Sequence, residues 1–259
     1  MNYVYGRQCS VSLYKDDTYT ALPYSQETIR TKRKLYPLEE TVGHKRRIVE
    51  IAYGSNIEGC IITRVSRNTI IPLLSLLEHP LKPITLIIDR AVETILYKNI
   101  ILLSFEIRAS IDEALYIKFD ITSISESSTE EGNSATLIIP WEKESTWFFR
   151  KDSFRHQGKT IPGIYAFTFT AEFQNTITYT LQIHTPLRKD SVIQKSDFIE
   201  NISFNALYPL EIQFNKLQPL TDMNETDTAG EILVIRKYRV QGIISYKVMD
   251  REVSWGLTL

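Results

Sequence analysis

The chain has 259 residues, with 30 Lys and Arg against 31 Asp and Glu and a formal net charge of −1. That length suits one large all-β domain or two small ones, and so even a balance excludes a general attraction to nucleic acid or anionic membrane. Hydrophobic residues at 43% against 24% charged exclude a disordered chain, and two cysteines exclude a disulfide scaffold or a cysteine-built zinc site.

Ile, Val and Thr together supply roughly a quarter of the chain, and branching at Cβ favours strands. The first residues, Met1 to Arg7, lack a basic start followed by an apolar block, so no signal peptide is expected. Strand patterns are predicted for Val4–Tyr14, Arg47–Tyr53 and Glu58–Arg64. Between them, Ser25–His44 reads as a loop with a basic block, Arg30–Lys34, followed by Glu39-Glu40. A single helix follows: Asn68 is placed to cap it, Pro72 falls in its first turn, Leu73, Leu74, Leu76 and Leu77 form its apolar side, and Pro80 stops it. Strands are then predicted over Ile84–Asp89 and Val92–Tyr97. The longest apolar run, Ile95–Phe105, is broken by Lys98 and Asn99 and falls short of the roughly 18 residues that span a bilayer.

Two hairpins carry the clearest period of two. Leu103, Phe105 and Ile107 alternate with Ser104, Glu106 and Arg108, and Leu115, Ile117, Phe119 and Ile121 alternate with Tyr116, Lys118 and Asp120. In the second, Tyr165 to Phe173 runs out, Gln174-Asn175 turns, and Ile177 to Ile183 returns with Thr176, Thr178, Thr180 and Gln182 on its polar face. Such a Thr ladder predicts a sheet whose second face is wet or meets another subunit. Ser123–Ser134 and Thr221–Gly230 read as polar loops, and further strands are predicted at Ala135–Ile139, Phe204–Phe214 and Ile232–Val248.

Sites of chemistry are sparse. His44, His79, His156 and His184 show no ligand spacing, and no Gly-x-Ser-x-Gly, Gly-x-Gly-x-x-Gly or Walker pattern is present. Cys9 and Cys60 read as small buried hydrophobes in strands, and Glu39-Glu40, Asp112-Glu113 and Glu130-Glu131 as solvated loop charges. The run from Arg30 to Lys34 could touch phosphate, though a solvated or intersubunit surface is the commoner role of such a run. No catalytic residue, cofactor or metal is expected, and the chain does not read as an enzyme.

The order of these elements resembles the tube-forming proteins of bacteriophage tails. The resemblance rests on Arg47 to Ile51, Glu58-Gly59-Cys60-Ile61-Ile62, the leucine-rich segment from Asn68 to Leu77, Leu96-Tyr97-Lys98-Asn99 and the hairpin to Ile121, then Trp147-Phe148-Phe149, Pro162-Gly163 and Tyr165 to Ile183. It covers residues 40–190 of a single β domain spanning 1–259, with 191–259 a C-terminal β extension. It implies an all-β fold, a β-sandwich or partial barrel with long hairpins and one short flanking helix, that completes a β-barrel when six copies form a ring. It further implies a virion structural protein, assembled in the host cytoplasm. Its partners would be its own copies in stacked hexameric rings, other tail proteins (initiator or baseplate, terminator, a possible sheath) and DNA passing non-specifically through the lumen, with no membrane. On that reading Glu106, Asp120, Thr176, Thr178 and Thr180 face the lumen, where Lys and Arg are disfavoured, although Arg108 and Lys118 share those faces. Arg30, Lys32, Arg33, Glu39, Glu40, Glu126, Glu130 and Glu131 would sit on ring-stacking loops. Two other readings stay open: a baseplate, tail-tip or terminator component, and a β-sandwich carbohydrate-binding module using Trp141, Trp147 or Trp255.

Overall fold

The computed structural model describes residues 10–15, 18–22, 24–42, 45–89, 94–111, 113–123, 129–131, 149, 154–156, 159–161, 163–174, 176–186, 199–205, 210–226, 232–248 and 251–255. Strands make up 75% of the structure and one short helix accompanies them, so the fold is all-β, of the sandwich or partial-barrel kind. The chain divides into two compact units: residues 1–61, 81–103 and 120–141 form the first, and residues 62–80, 104–119 and 142–259 the second.

The first unit contains β1 (Ser10–Lys15), β2 (Thr18–Leu22), β3 (Tyr24–Glu27), β4 (Arg30–Val42), most of β5 (Lys45–Arg64), β6 (Ile84–Asp89), the first part of β7 (Thr94–Ser110), the end of β8 (Tyr116–Ser123) and β9 (Thr129–Glu131). An antiparallel ladder runs β2–β1–β6–β7–β9. In β6 Leu86, Ile87 and Ile88 are all buried, so this strand is covered on both faces. Between the Ile84↔Ile100 and Leu86↔Tyr97 rungs, β7 has one residue more than β6. Asn99 absorbs that bulge at φ 57°, in the left-handed region that asparagine tolerates better than most residues.

The segment Ser25–His44, expected to be a loop, holds β3 and the thirteen-residue β4. β4 pairs with β5 from Arg30↔Glu58 to Val42↔Lys45, with one bulge at Lys34/Leu35. The strand is possible because β5 supplies a hydrogen-bonding partner for the whole basic block, and Lys32 Nζ lies 3.7 Å from Glu58. Arg30, Lys32, Arg33, Glu39 and Glu40 therefore lie on a strand and not on a loop. Glu130 and Glu131 likewise belong to β9, paired with Leu96 and Ile95. Arg47–Tyr53 and Glu58–Arg64, expected as two strands, are one, β5.

Where residues 28–29, between β3 and β4, run alongside β5, Gly59 leaves no room for a side chain: a Cβ there would lie 2.5 Å from Ile29 Cα. The close approach is fastened by the Thr28 N–H donating to Cys60 O (3.0 Å) and the Cys60 N–H donating to Thr28 Oγ1 (3.2 Å). Cys60 is half-buried and its thiol is free, not the buried hydrophobe its strand position implied. Its Sγ lies 3.5 Å from Thr28 Oγ1.

The second unit begins with the end of β5 and the helix α1 (Arg67–Glu78). Ser66, and not Asn68, is the N-cap: its N–H donates to Thr69 Oγ1 at 3.0 Å, a capping-box contact made by Thr where Glu is usual. Pro72 accordingly falls beyond the first turn, where its missing N–H leaves Asn68 C=O without its helical donor. Ile70, Leu73, Leu74, Leu76 and Leu77 are buried. His79, the residue before Pro80, leaves helical geometry as a pre-proline residue must, ending the helix where expected.

The rest of the unit adds the end of β7, the start of β8, β10 (Phe154–His156), β11 (Lys159–Thr160), β12 (Ala166–Glu172), β13 (Thr178–Pro186), β14 (Ile199–Asn205), β15 (Leu210–Thr226), β16 (Ile232–Val240), β17 (Ile244–Val248) and β18 (Arg251–Trp255). One antiparallel ladder runs β7–β12–β13–β16–β15. A second runs β11–β10–β14–β15–β17–β18. The long strand β15 belongs to both. Its first part pairs with β14 up to Leu217 and with β17 over Leu210–Phe214, and from Leu217 onward it pairs with β16, with a bulge at Pro219/Thr221. Strand bulges of this kind let one strand turn from one layer into the next. Thus Thr221–Thr226, expected in a loop, is strand; Ile232–Val248 and Phe204–Phe214, each expected as one strand, are each two.

Aromatic side chains fill the space between the ladders. Phe167 of β12 is 5.1 Å from Phe154 of β10 and 5.5 Å from Phe149, and Phe169 of β12 is 5.4 Å from Phe214 of β15, centroid to centroid. All five are buried. Truncating such a ring typically costs about 3–5 kcal/mol. Tyr246 of β17 donates its hydroxyl to Glu78 at 2.8 Å and ties the helix end to the sheet. Cys9, His44, Glu126, Ala135–Ile139, Trp141 and Trp147 lie outside the described residues.

Candidate functional site

The β7–β12–β13–β16 ladder has one dry and one wet face, as period-two alternation requires. Phe105, Ile107, Ala109, Phe167, Phe169, Ala171, Tyr179, Leu181 and Ile183 are buried on the first. On the second, the register aligns rows of polar residues. One row reads Glu106, Thr170, Thr180, Arg239; the next reads Arg108, Thr168, Gln182, Lys237; a shorter one reads Ser104, Glu172, Thr178. Adjacent strands are about 4.8 Å apart and alternate residues about 6.7 Å, so these rows make a nearly continuous lattice of hydroxyl, amide and charged groups.

The electrostatics of this face are mixed and close to balanced. It carries two carboxylates, Glu106 and Glu172, and three cations, Arg108, Lys237 and Arg239. Glu106 and Arg108 lie 3.8 Å apart on the same strand, both solvent-accessible, an ion pair of small net value. Thr178 Oγ1 donates to Glu172 at 3.4 Å, and the side chains of Gln182 and His184 meet at 2.9 Å. Directly behind the Thr ladder, Tyr179 stacks on Phe169 with ring centroids 6.3 Å apart and planes 10° from parallel. Burial pushes the Tyr179 hydroxyl above its ordinary value of 10.0, because the phenolate would lose its water.

Of the residues expected to face a lumen, Glu106, Thr178 and Thr180 lie together on this face. Thr176 precedes β13 in the hairpin connection and is exposed. Asp120 belongs to the first unit, on β8. Thr168 and Thr170, which alternation places on the polar side of their strand, join Glu106, Thr178 and Thr180 on this face, as do Lys237 and Arg239. The two threonines follow from the same alternation as Thr178, but the cations join the face only through the β13–β16 register, which no local pattern encodes. His184 sits on the polar face, as its place in the alternation predicted, and is half-buried.

Among the described residues no three His, Cys, Asp or Glu side chains cluster to hold a metal ion, and no helix is long and apolar enough to cross a membrane. No protein-family model matches the chain, and no characterised protein matches it in sequence.

Proposed function

We propose that the chain is a structural subunit of a bacteriophage tail tube, forming stacked hexameric rings around a lumen through which DNA passes. The observation that carries this reading is the two-faced hairpin sheet: a buried aromatic and aliphatic side and an opposite side of ordered threonine, glutamine and mixed charge. A wall that DNA slides along must hydrate well without neutralising successive phosphates, since each neutralised phosphate releases counterions and adds affinity. Hydroxyls and carboxamides meet that need, and Glu106 beside Arg108 cancels charge locally. Lys237 and Arg239 stand side by side on β16 and are the least suited to it. Sheets of six copies closing into a barrel would complete the fold and remove exposed strand edges. The other partners are further tail proteins, at the ends or around the tube, in the virion.

Negative-stain electron microscopy of the purified chain across a concentration series tests the reading. Sixfold rings or hollow tubes are expected at high concentration. Monodisperse monomers throughout, with or without preformed rings as seeds, would overturn it.

A further inference from the structure

The β13–β16 ladder ends in a fork. Its last rung is Thr180↔Arg239. Past it, Thr178 stays paired with Glu172 of β12, whereas β16 stays with β15, its ladder continued by the Gln241 N–H donating to Lys216 O at 2.9 Å. The two strands part, and a hollow of about 440 Å³ opens between them. Ile177, Tyr179 and Val240 give it a mainly apolar wall, and Thr176 stands at its rim. The volume falls at the small end of the range for small-molecule sites, which are mostly apolar with a few fixed polar groups.

Two features decide what such a hollow would recognise. Arg239 lines it, is exposed, and makes no ion pair among the described residues. Lys237, two residues earlier on the same face, also makes none among them. On the same face the carboxylate of Glu172 lies two strands across and two residues along, about 12 Å by strand spacing, where solvent and salt screen it. Of the other polar side chains of the wall, Gln241 is held in place by donating to Gln218 Oε1 and Thr178 by donating to Glu172. An apolar cleft with a planar guanidinium beside it that makes no ion pair among the described residues matches a ligand with an apolar body and a carboxylate, which arginine binds through two parallel hydrogen bonds.

We propose that this hollow binds a small amphiphilic carboxylate, with its alkyl chain or single ring against Ile177, Tyr179 and Val240 and its carboxylate on Arg239. The proposal does not rest on assembly into a tube and is tested on the dissolved chain.

Isothermal titration with decanoate, decanol and acetate separates the contributions of body and charge. Saturable one-to-one binding of decanoate is expected, about tenfold weaker binding of decanol, and none of acetate. Arg239→Gln should weaken decanoate about tenfold and leave decanol unchanged, the signature of a lost charge-assisted contact. Thr176→Trp, which fills the hollow from an exposed rim position, should abolish both while leaving the far-UV circular dichroism and the melting temperature at parental values. Equal affinity for decanoate and decanol, unsaturable binding, an Arg239→Gln variant that binds decanoate as the parent does, or undiminished binding by a folded Thr176→Trp variant would each overturn the proposal.

Discussion

Replacing Gly59 with alanine adds a single methyl group where residues 28–29 lie closest to β5. The new Cβ would lie 2.5 Å from Ile29 Cα and 2.9 Å from both Ile29 N and Thr28 O, whereas ordinary contact begins at 3.4 Å. All three neighbours are backbone, so no side chain can swing aside, and the adjoining segment must retreat by about 1 Å, the shortfall from ordinary contact. That retreat stretches the Thr28–Cys60 pair of hydrogen bonds, now 3.0 and 3.2 Å, each worth about 1 kcal/mol. Overpacking adds about 1–3 kcal/mol, and the stiffer unfolded chain returns about 0.4–1 kcal/mol. The net loss is about 2–4 kcal/mol, or a melting temperature lower by about 5–12 °C for a chain of this size. Thermal unfolding followed by far-UV circular dichroism measures it. A Gly59→Ala variant that melts at or above the parent would refute the close approach, because relief of glycine's unfolded-state entropy alone stabilises.

Asn99 sits at φ 57°, so Asn99→Gly should be neutral within a few tenths of a kcal/mol while Asn99→Val should cost about 1–2 kcal/mol by denaturant titration. Because Tyr179 ionises later in the folded chain than in the unfolded one, its contribution is constant below pH 10.0. Above it the unfolded chain releases the proton first, so stability falls as pH rises. Tyr179→Phe should remove that part of the alkaline loss, read as a flatter melting curve against pH above 10.0. Tyr246→Phe deletes the hydroxyl donated to Glu78 and should cost about 1–3 kcal/mol, with faster amide exchange in the last turn of α1.

The parts of the fold that could be read from the sequence are those whose partners lie close along the chain. The hairpin from Tyr165 to Ile183 declares itself through alternation, and its structure pairs Glu172 with Thr178 across the expected turn. β4 was hidden because Arg30 to Lys34 and Glu39-Glu40 look solvated; what makes them a strand is β5, which pairs along the whole length of β4. The tail of β15 was hidden for the same reason, since Thr221 to Thr226 is polar and is held by β16. At the helix, a Ser-x-x-Thr box at Ser66 substituted for the more familiar acidic form, so the start fell two residues early. On the candidate face the threonines and Arg108 were legible and the two cations of β16 were not. Lys237 and Arg239 reach it by strand register, and register is settled by the packing of several strands together.

On the proposed reading, the Thr170–Thr180 face is the inner wall of a ring. Thr180→Cys, in a chain whose Cys9 and Cys60 are serine, can be coupled to a small gold cluster after assembly and located in end-on electron micrographs. Gold confined to the central channel of sixfold rings is the predicted result. Gold on the outer rim, or between stacked rings, would contradict the account.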